Sequence, residues 1–214
     1  MFSKKSFGDL RENYYFCSHI TKTLINMENY HHCYKMTWDT EGAPNPHLGV
    51  LTLAICKPRI RKYSQVGDWI SGWTAKNIHG KDKRIRHFDN PQLIYLARIK
   101  EKLKFDEYWE KYPQKQPEKL DSGDNIYEPI GNGRYKLHDN NNDHGEKEIE
   151  HDLKGEFVLI CEEFYYYGVD NALDVSKDIF NVIVPRWKKV LLSDSSKLID
   201  FVRNDNHVTI KGKA

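Results

Sequence analysis

No apolar run in this chain of 214 residues reaches the roughly 18 residues that a membrane-spanning helix requires, so a membrane partner is not expected. Cysteine is scarce: Cys17, Cys33, Cys56 and Cys161 stand apart with no Cys-x-x-Cys spacing, which argues against a disulfide framework and a zinc ribbon. An excess of one charge is lacking too. Lys and Arg number 33 against 31 Asp and Glu, a net charge of +2, so nucleic-acid binding would have to come from a local patch. There is no Gly-x-x-x-x-Gly-Lys-Ser/Thr loop, no Gly-x-Gly-x-x-Gly after a strand, no Gly-x-Ser-x-Gly elbow and no His-Glu-x-x-His. Those absences set aside kinases, Rossmann enzymes, α/β-hydrolases and zincins, and no cofactor-binding motif is legible. The N-terminus carries lysines but no continuous apolar stretch, since Arg11, Glu12 and Asn13 interrupt it, so no secretory signal and a reducing cytoplasm are expected.

Charged residues make up 30% of the chain and the mean hydropathy is −0.76, yet aromatics reach 13%, so the sequence is polar without the aromatic poverty of disorder. Its length fits one domain with an appendage. Trp38 to Trp73 concentrates the special chemistry: Trp-Asp-Thr-Glu-Gly-Ala-Pro-Asn-Pro, then Cys-Lys-Pro-Arg-Ile-Arg, then Val-Gly-Asp-Trp-Ile-Ser-Gly-Trp. Rigid turns, cations framing Pro58 and tryptophans together predict a site here.

Residues 1–29 carry Phe7, Leu10, Tyr14, Cys17, Ile20 and Leu24 at roughly helical spacing and predict an N-terminal helical extension, with the main α+β domain over 30–214. Strands are expected over His32 to Trp38, Val50 to Cys56, Trp69 to Trp73 and Gln92 to Lys100, with Lys76 to Asn90 as a basic loop. Phe105, Tyr108, Trp109 and Tyr112 predict a short amphipathic helix ending before Pro113. Gln114 to Gly133 and Asp139 to Asp152 read as long loops. Phe157 to Cys161 and Phe164 to Tyr167 read as buried strands, Leu173 to Phe180 as a helical turn, Val182 to Val184 as a short strand, and Lys197 to Arg203 as a helix capped by Ser195.

Gly-Ala-Pro-Asn-Pro (42–46), Leu-Thr-Leu-Ala-Ile-Cys-Lys-Pro-Arg-Ile-Arg (51–61), Val-Gly-Asp-Trp-Ile (66–70), Leu-Ile-Tyr-Leu-Ala-Arg-Ile (93–99), Phe-Asp-Glu-Tyr-Trp (105–109), Gly-Asp-Asn-Ile-Tyr (123–127) and Val-Leu-Ile-Cys-Glu-Glu-Phe-Tyr-Tyr-Tyr-Gly (158–168) are collinear. Together they resemble the nucleotide modification associated domain 2 family over roughly residues 30 to 185. The resemblance implies a phage or bacterial protein linked to systems that make or handle modified DNA bases, and assigns no reaction. A Val-Gly-Asp-Trp turn entering a strand, followed by a Tyr-Leu-Ala-Arg-Ile strand and an aromatic helix, is also similar to PUA-like modules such as EVE and ASCH domains. That likeness implies a mixed, mostly antiparallel β-sheet or barrel with a few flanking helices. Asp68 reads as a structural acceptor across the Gly67 turn.

Lys57, Arg59 and Arg61 alternate with Pro58 and Ile60, so an extended segment would project all three to one side, toward a phosphate or simply toward water. Trp38, Trp69, Trp73 and Tyr127 can stack on a base, or can be ordinary core. Asn45 and Asn125 can read a base edge or cap their own turns. His138, His144, His151 and Asp152 can supply acid–base chemistry, with His144 and Asp152 the favoured pair; their spacing matches no zinc signature, so no metal site is expected. Cys56, with no basic partner nearby in sequence beyond Lys57, reads as core rather than as a nucleophile. The preferred reading is a binding module for a modified nucleobase, nucleotide or DNA, with the cations on phosphate and Trp69 or Trp73 on the base. The alternative is an enzyme of nucleotide or DNA-base modification in which His144 and Asp152 move protons. Either is compatible with homo-oligomerisation through the N-terminal helix.

Overall fold

The computed structural model describes residues 28–140, 144–181 and 185–213. The expected N-terminal helical extension and the strand expected over 182–184 therefore lie outside the described residues, save for 28 and 29. Strands run in chain order as β1 (Tyr30–Trp38), β2 (Leu51–Leu53), β3 (Trp69–His79), β4 (Ile85–His87), β5 (Leu93–Arg98), β6 (Glu101–Leu103), β7 (Tyr127–Pro129), β8 (Tyr135–Leu137), β9 (Val158–Cys161), β10 (Phe164–Tyr166), β11 (Lys188–Leu191) and β12 (Ile210–Lys211). Helices are α1 (Pro58–Tyr63), α2 (Phe105–Lys111), α3 (Glu146–Leu153) and α4 (Ser196–Arg203). None of them is long and apolar enough to cross a membrane.

The architecture is α+β. The main sheet has the order β11-β1-β3-β5-β10-β12, with β4 paired to β3, and it does not close into a barrel. Only β1 and β3 run parallel, joined through β2 and α1; the other pairings are antiparallel. A smaller sheet, β2-β9-β6, packs against one face of the main sheet. Alternation sorts the side chains. On β10, Phe164 and Tyr166 enter the core between the two sheets, while Tyr165 and Tyr167 enter a second core under α4 with Leu198, Ile199 and Val202. On β9, Leu159 and Cys161 face the first core, whereas Val158 and Ile160 join Phe105, Tyr108 and Tyr127 in a third.

Three expectations are corrected. Lys76 to Asn90 is a hairpin rather than a loop: β3 runs on to His79 and pairs with β4, because Ile78 is fully buried and keeps the strand on the sheet while Lys76 and Asn77 face water. Lys57, Arg59 and Arg61 do not lie on an extended segment. Strand β2 ends at Leu53, and Pro58, whose fixed φ suits a first helical position, opens α1. The end of the polar segment 139–152 is helical: α3 begins at Gly145, whose N–H is capped by the Glu148 carboxylate at 3.0 Å, and turns Ile149, Asp152 and Leu153 inward. Ser195 stands at the N-cap position of α4 as expected, but its hydroxyl is 2.7 Å from His31 Nδ1 instead of capping the helix.

Candidate functional site

The turn between β2 and α1 is built under constraint. Cys56 and Lys57 both have left-handed backbone conformations, with φ of 57° and 44°, which cost of order 1–3 kcal/mol each for residues with a side chain and persist only when their surroundings hold them. The holder is identifiable. The Cys56 N–H donates to Asp152 Oδ1 at 2.7 Å, and the Cys56 carbonyl accepts from Arg61 Nε at 2.7 Å. Arg61, fully buried, also donates to the Phe157 and Asp152 carbonyls, and its guanidinium lies so close to Gly155 that a Cβ there would collide with it. Arg61 is thus a clamp on the turn, pointing away from solvent.

Into the same turn reaches the start of α3. His144 Nε2 lies 3.4 Å from Cys56 Sγ, and His144 Nδ1 lies 2.9 Å from Asp152 Oδ2. The Nδ1 contact has ion-pair separation without hydrogen-bond alignment. Tyr127 donates its hydroxyl to the same Asp152 oxygen at 2.8 Å. Burial works against the imidazolium, but the Asp152 carboxylate and the Cys56 sulfur outweigh it and raise the His144 pKa from 6.5 to about 10. Burial likewise opposes the Asp152 carboxylate, yet His144, Tyr127 and Arg61 hold it below its ordinary value. Thiol, imidazole and carboxylate thus stand in line, Sγ beside Nε2 and Nδ1 beside Oδ2.

Cys56 and His144, with Asp152 buried behind them, open on a cavity of about 350 Å³, lined by Met36 and Trp38 from the end of β1, by Ile55, Cys56 and Lys57, and by His144, Glu148 and His151. The size suits a small-molecule or single-base ligand. Trp38 is 46% exposed and stacks on His79 with ring centres 4.0 Å apart and planes 10° apart. Lys57 reaches over the Tyr34 ring at 4.8 Å. No metal-binding cluster of His, Cys, Asp or Glu occurs among the described residues.

The structure brings together His144, Asp152, Tyr127, Lys57 and Arg61, sets Trp38 and His151 on the same cavity, and leaves the other expected site residues apart from them. Trp69 and Trp73 are each 3% exposed in the core beneath α4, which leaves no ring face free for a base. Asn45 is buried, donating to the Glu41 and Ser122 carbonyls and accepting from Lys115; Asn125 donates to the Tyr108 and Tyr112 carbonyls at the end of α2. Arg59 is exposed over the Trp187 ring, and His138 pairs with Glu118 and Glu128. Asp68 accepts from the Tyr30 and Gln65 N–H groups and from His32, the structural role expected of it. Cys56, which its sequence neighbours mark as core, is half-buried and faces the cavity. Its only local signal is the Cys-Lys-Pro start of α1, since its partners lie 88 and 96 residues away.

An α+β domain with this site has a family. Residues 27–205 match the sequence profile described as nucleotide modification associated domain 2, and the chain belongs to that family. No curated protein and no solved structure matches it. Its role is associated with nucleotide modification.

Proposed function

We propose that this protein is a thiol-dependent enzyme acting on a nucleotide or modified nucleobase, with Cys56 as nucleophile, His144 as the imidazolium that serves as general acid, and Asp152 as the group that orients and charges the imidazole. The observation that carries the reading is that Cys56 Sγ and His144, 3.4 Å apart, stand on the wall of a ligand-sized cavity with the buried Asp152 carboxylate 2.9 Å behind the imidazole. The reaction class that suits this trio is substitution at an electrophilic sp² carbon, such as the carbonyl of an amide or ester carried by a nucleotide. Sγ attacks that carbon as the thiolate, its proton having passed to solvent, and the His144 imidazolium protonates the leaving group from Nε2. Water or another acceptor then releases the acyl group from sulfur, and a proton from that step restores the imidazolium. The held backbone at Cys56 supports the reading, because it fixes the sulfur before any ligand arrives.

Iodoacetamide labelling followed by peptide mapping tests the nucleophile without knowledge of the substrate. Cys56 is expected to label ahead of the buried Cys33 and Cys161, and to slow when His144 is replaced by Gln. A Cys56 rate equal to that of the urea-unfolded chain and indifferent to His144→Gln would overturn the enzyme reading and return the cavity to pure binding.

A further inference from the structure

Beside the cavity lies a run of cations that the proposed chemistry does not use. Lys57 sits over the Tyr34 ring at 4.8 Å, Arg59 over Trp187 at 5.0 Å and Lys189 over Tyr30 at 3.4 Å. Tyr30, His32 and Tyr34 alternate with Cys33, so they share the face of β1 on which α1 and Trp187 pack; the Trp187 Nε1–H donates to His32 Nδ1 at 3.2 Å. Edge strand β11 pairs with β1 and sets Lys189 opposite His32. Arg186, exposed and next in the chain to the Trp187 ring that carries Arg59, joins the group.

These four cations differ from many others in the molecule. Lys62, Lys81, Arg86, Lys111, Lys154 and Arg203 are each neutralised by a carboxylate. Among the described residues, no carboxylate lies within ion-pair distance of Lys57, Arg59, Arg186 or Lys189, and three of the four are held over aromatic rings, which fix a cation without cancelling its charge. A stripe of uncancelled charge leading into a cavity with a half-exposed tryptophan matches a strand of phosphates carrying bases.

We infer that the substrate base is presented on a single-stranded polynucleotide, whose phosphates lie along Lys57, Arg59, Arg186 and Lys189 and whose target base enters the cavity against Trp38. The inference rests on the cavity being the reaction site, but its test does not require turnover. It also separates a strand from a free nucleotide, which offers phosphate to Lys57 alone. A duplex would have to extrude the base first, so it should bind more weakly than the single strand.

The experiment is fluorescence anisotropy with a labelled single-stranded DNA of about 12 nucleotides, within the usual site size of single-strand binders, at low and high salt. The same DNA as a duplex and a competing nucleoside monophosphate form the other arms. The oligonucleotide is expected to bind best. Its log affinity should fall with log salt at a slope of about −3, since each of four neutralised phosphates contributes about 0.7. Arg59→Ala combined with Lys189→Ala should cost roughly tenfold or more and flatten the slope by about 1.4. Lys177→Ala combined with Lys197→Ala removes the same charge from exposed positions near the opposite face of the sheet and should leave binding unchanged. Equal losses in the two double variants, or a monophosphate that competes as well as the unlabelled oligonucleotide, would overturn the inference. Salt-dependent binding retained in Cys56→Ser, with no thiol reactivity in the wild type, would sink the enzyme reading alone.

Discussion

Two histidine–aspartate pairs in this chain have the same separation and opposite settings. His32 Nε2 is 2.9 Å from Asp68 Oδ2, and His144 Nδ1 is 2.9 Å from Asp152 Oδ2. The first is sealed: His32 is fully buried, its Nδ1 accepts from Trp187, which makes Nε2 the donor to Asp68, and Asp68 also accepts two backbone N–H groups. Every side-chain polar atom of that pair has a partner in the fold, and Asp68 holds β1 to the Gly67 turn through Tyr30 and His32. The second pair keeps its carboxylate end buried among Tyr127, Arg61 and the Cys56 N–H, while the far nitrogen faces a thiol at the wall of a cavity. The same two side chains therefore close off both ends of the imidazole in one place, and in the other leave one nitrogen to a thiol beside a cavity.

The largest effects come from removing the carboxylates. Asp152→Ala and Asp68→Ala each leave buried donors unpaired, and each should cost about 3–5 kcal/mol in urea denaturation. Cys56 labelling in the folded state should slow only in Asp152→Ala, and equal slowing in both would erase the distinction. The tryptophans repeat the contrast. Trp73→Ala, in the core, should lose about 3–5 kcal/mol, whereas Trp38→Ala, half in solvent, should change stability by no more than about 0.5–1 kcal/mol and lose oligonucleotide affinity instead.

Replacing the histidines by glutamine is the next probe. His144→Gln should slow Cys56 labelling roughly a hundredfold, while His32→Gln should leave labelling alone and cost about 1–3 kcal/mol of stability. The smallest effect is a drift with pH. The folded pKa of His144 is raised from 6.5 to about 10, so its contribution is complete below pH 6.5 and is lost as pH rises through 10; Asp152, lowered from 3.8, loses its contribution as pH falls below that value. The stability gap between wild type and His144→Gln should be widest between pH 3.8 and 6.5 and close toward pH 10. A gap that widens with alkalinity would mean that His144 is not held as an imidazolium.

Much of the fold was legible because its causes are local. β1, β5 and α2 follow from strand-forming runs and from Phe105, Tyr108 and Tyr112 at helical spacing, and β9 and β10 from apolar runs ended by Gly168. α3 was missed because its two apolar residues, Ile149 and Leu153, are diluted by charged neighbours, and its third inward residue is an aspartate. The cationic stripe was half legible: Lys57 and Arg59 were seen, but Arg61 was counted with them although it is a buried clamp, and Lys189 and Arg186 come from a distant edge strand and the segment before it.

The sequence by itself determined the α+β composition, the family and the pairing of His144 with Asp152 as the most promising acid–base set, because these depend on short-range periodicity, collinear motifs and residue chemistry. Only the tertiary structure decided that Cys56 joins that set, that Trp38 rather than Trp69 or Trp73 faces the cavity, and which cations remain uncancelled. The reason is physical. Exposure and partnership depend on which strands neighbour one another and which faces are covered, and those contacts join residues 88 and 96 positions apart, far beyond the reach of any local pattern.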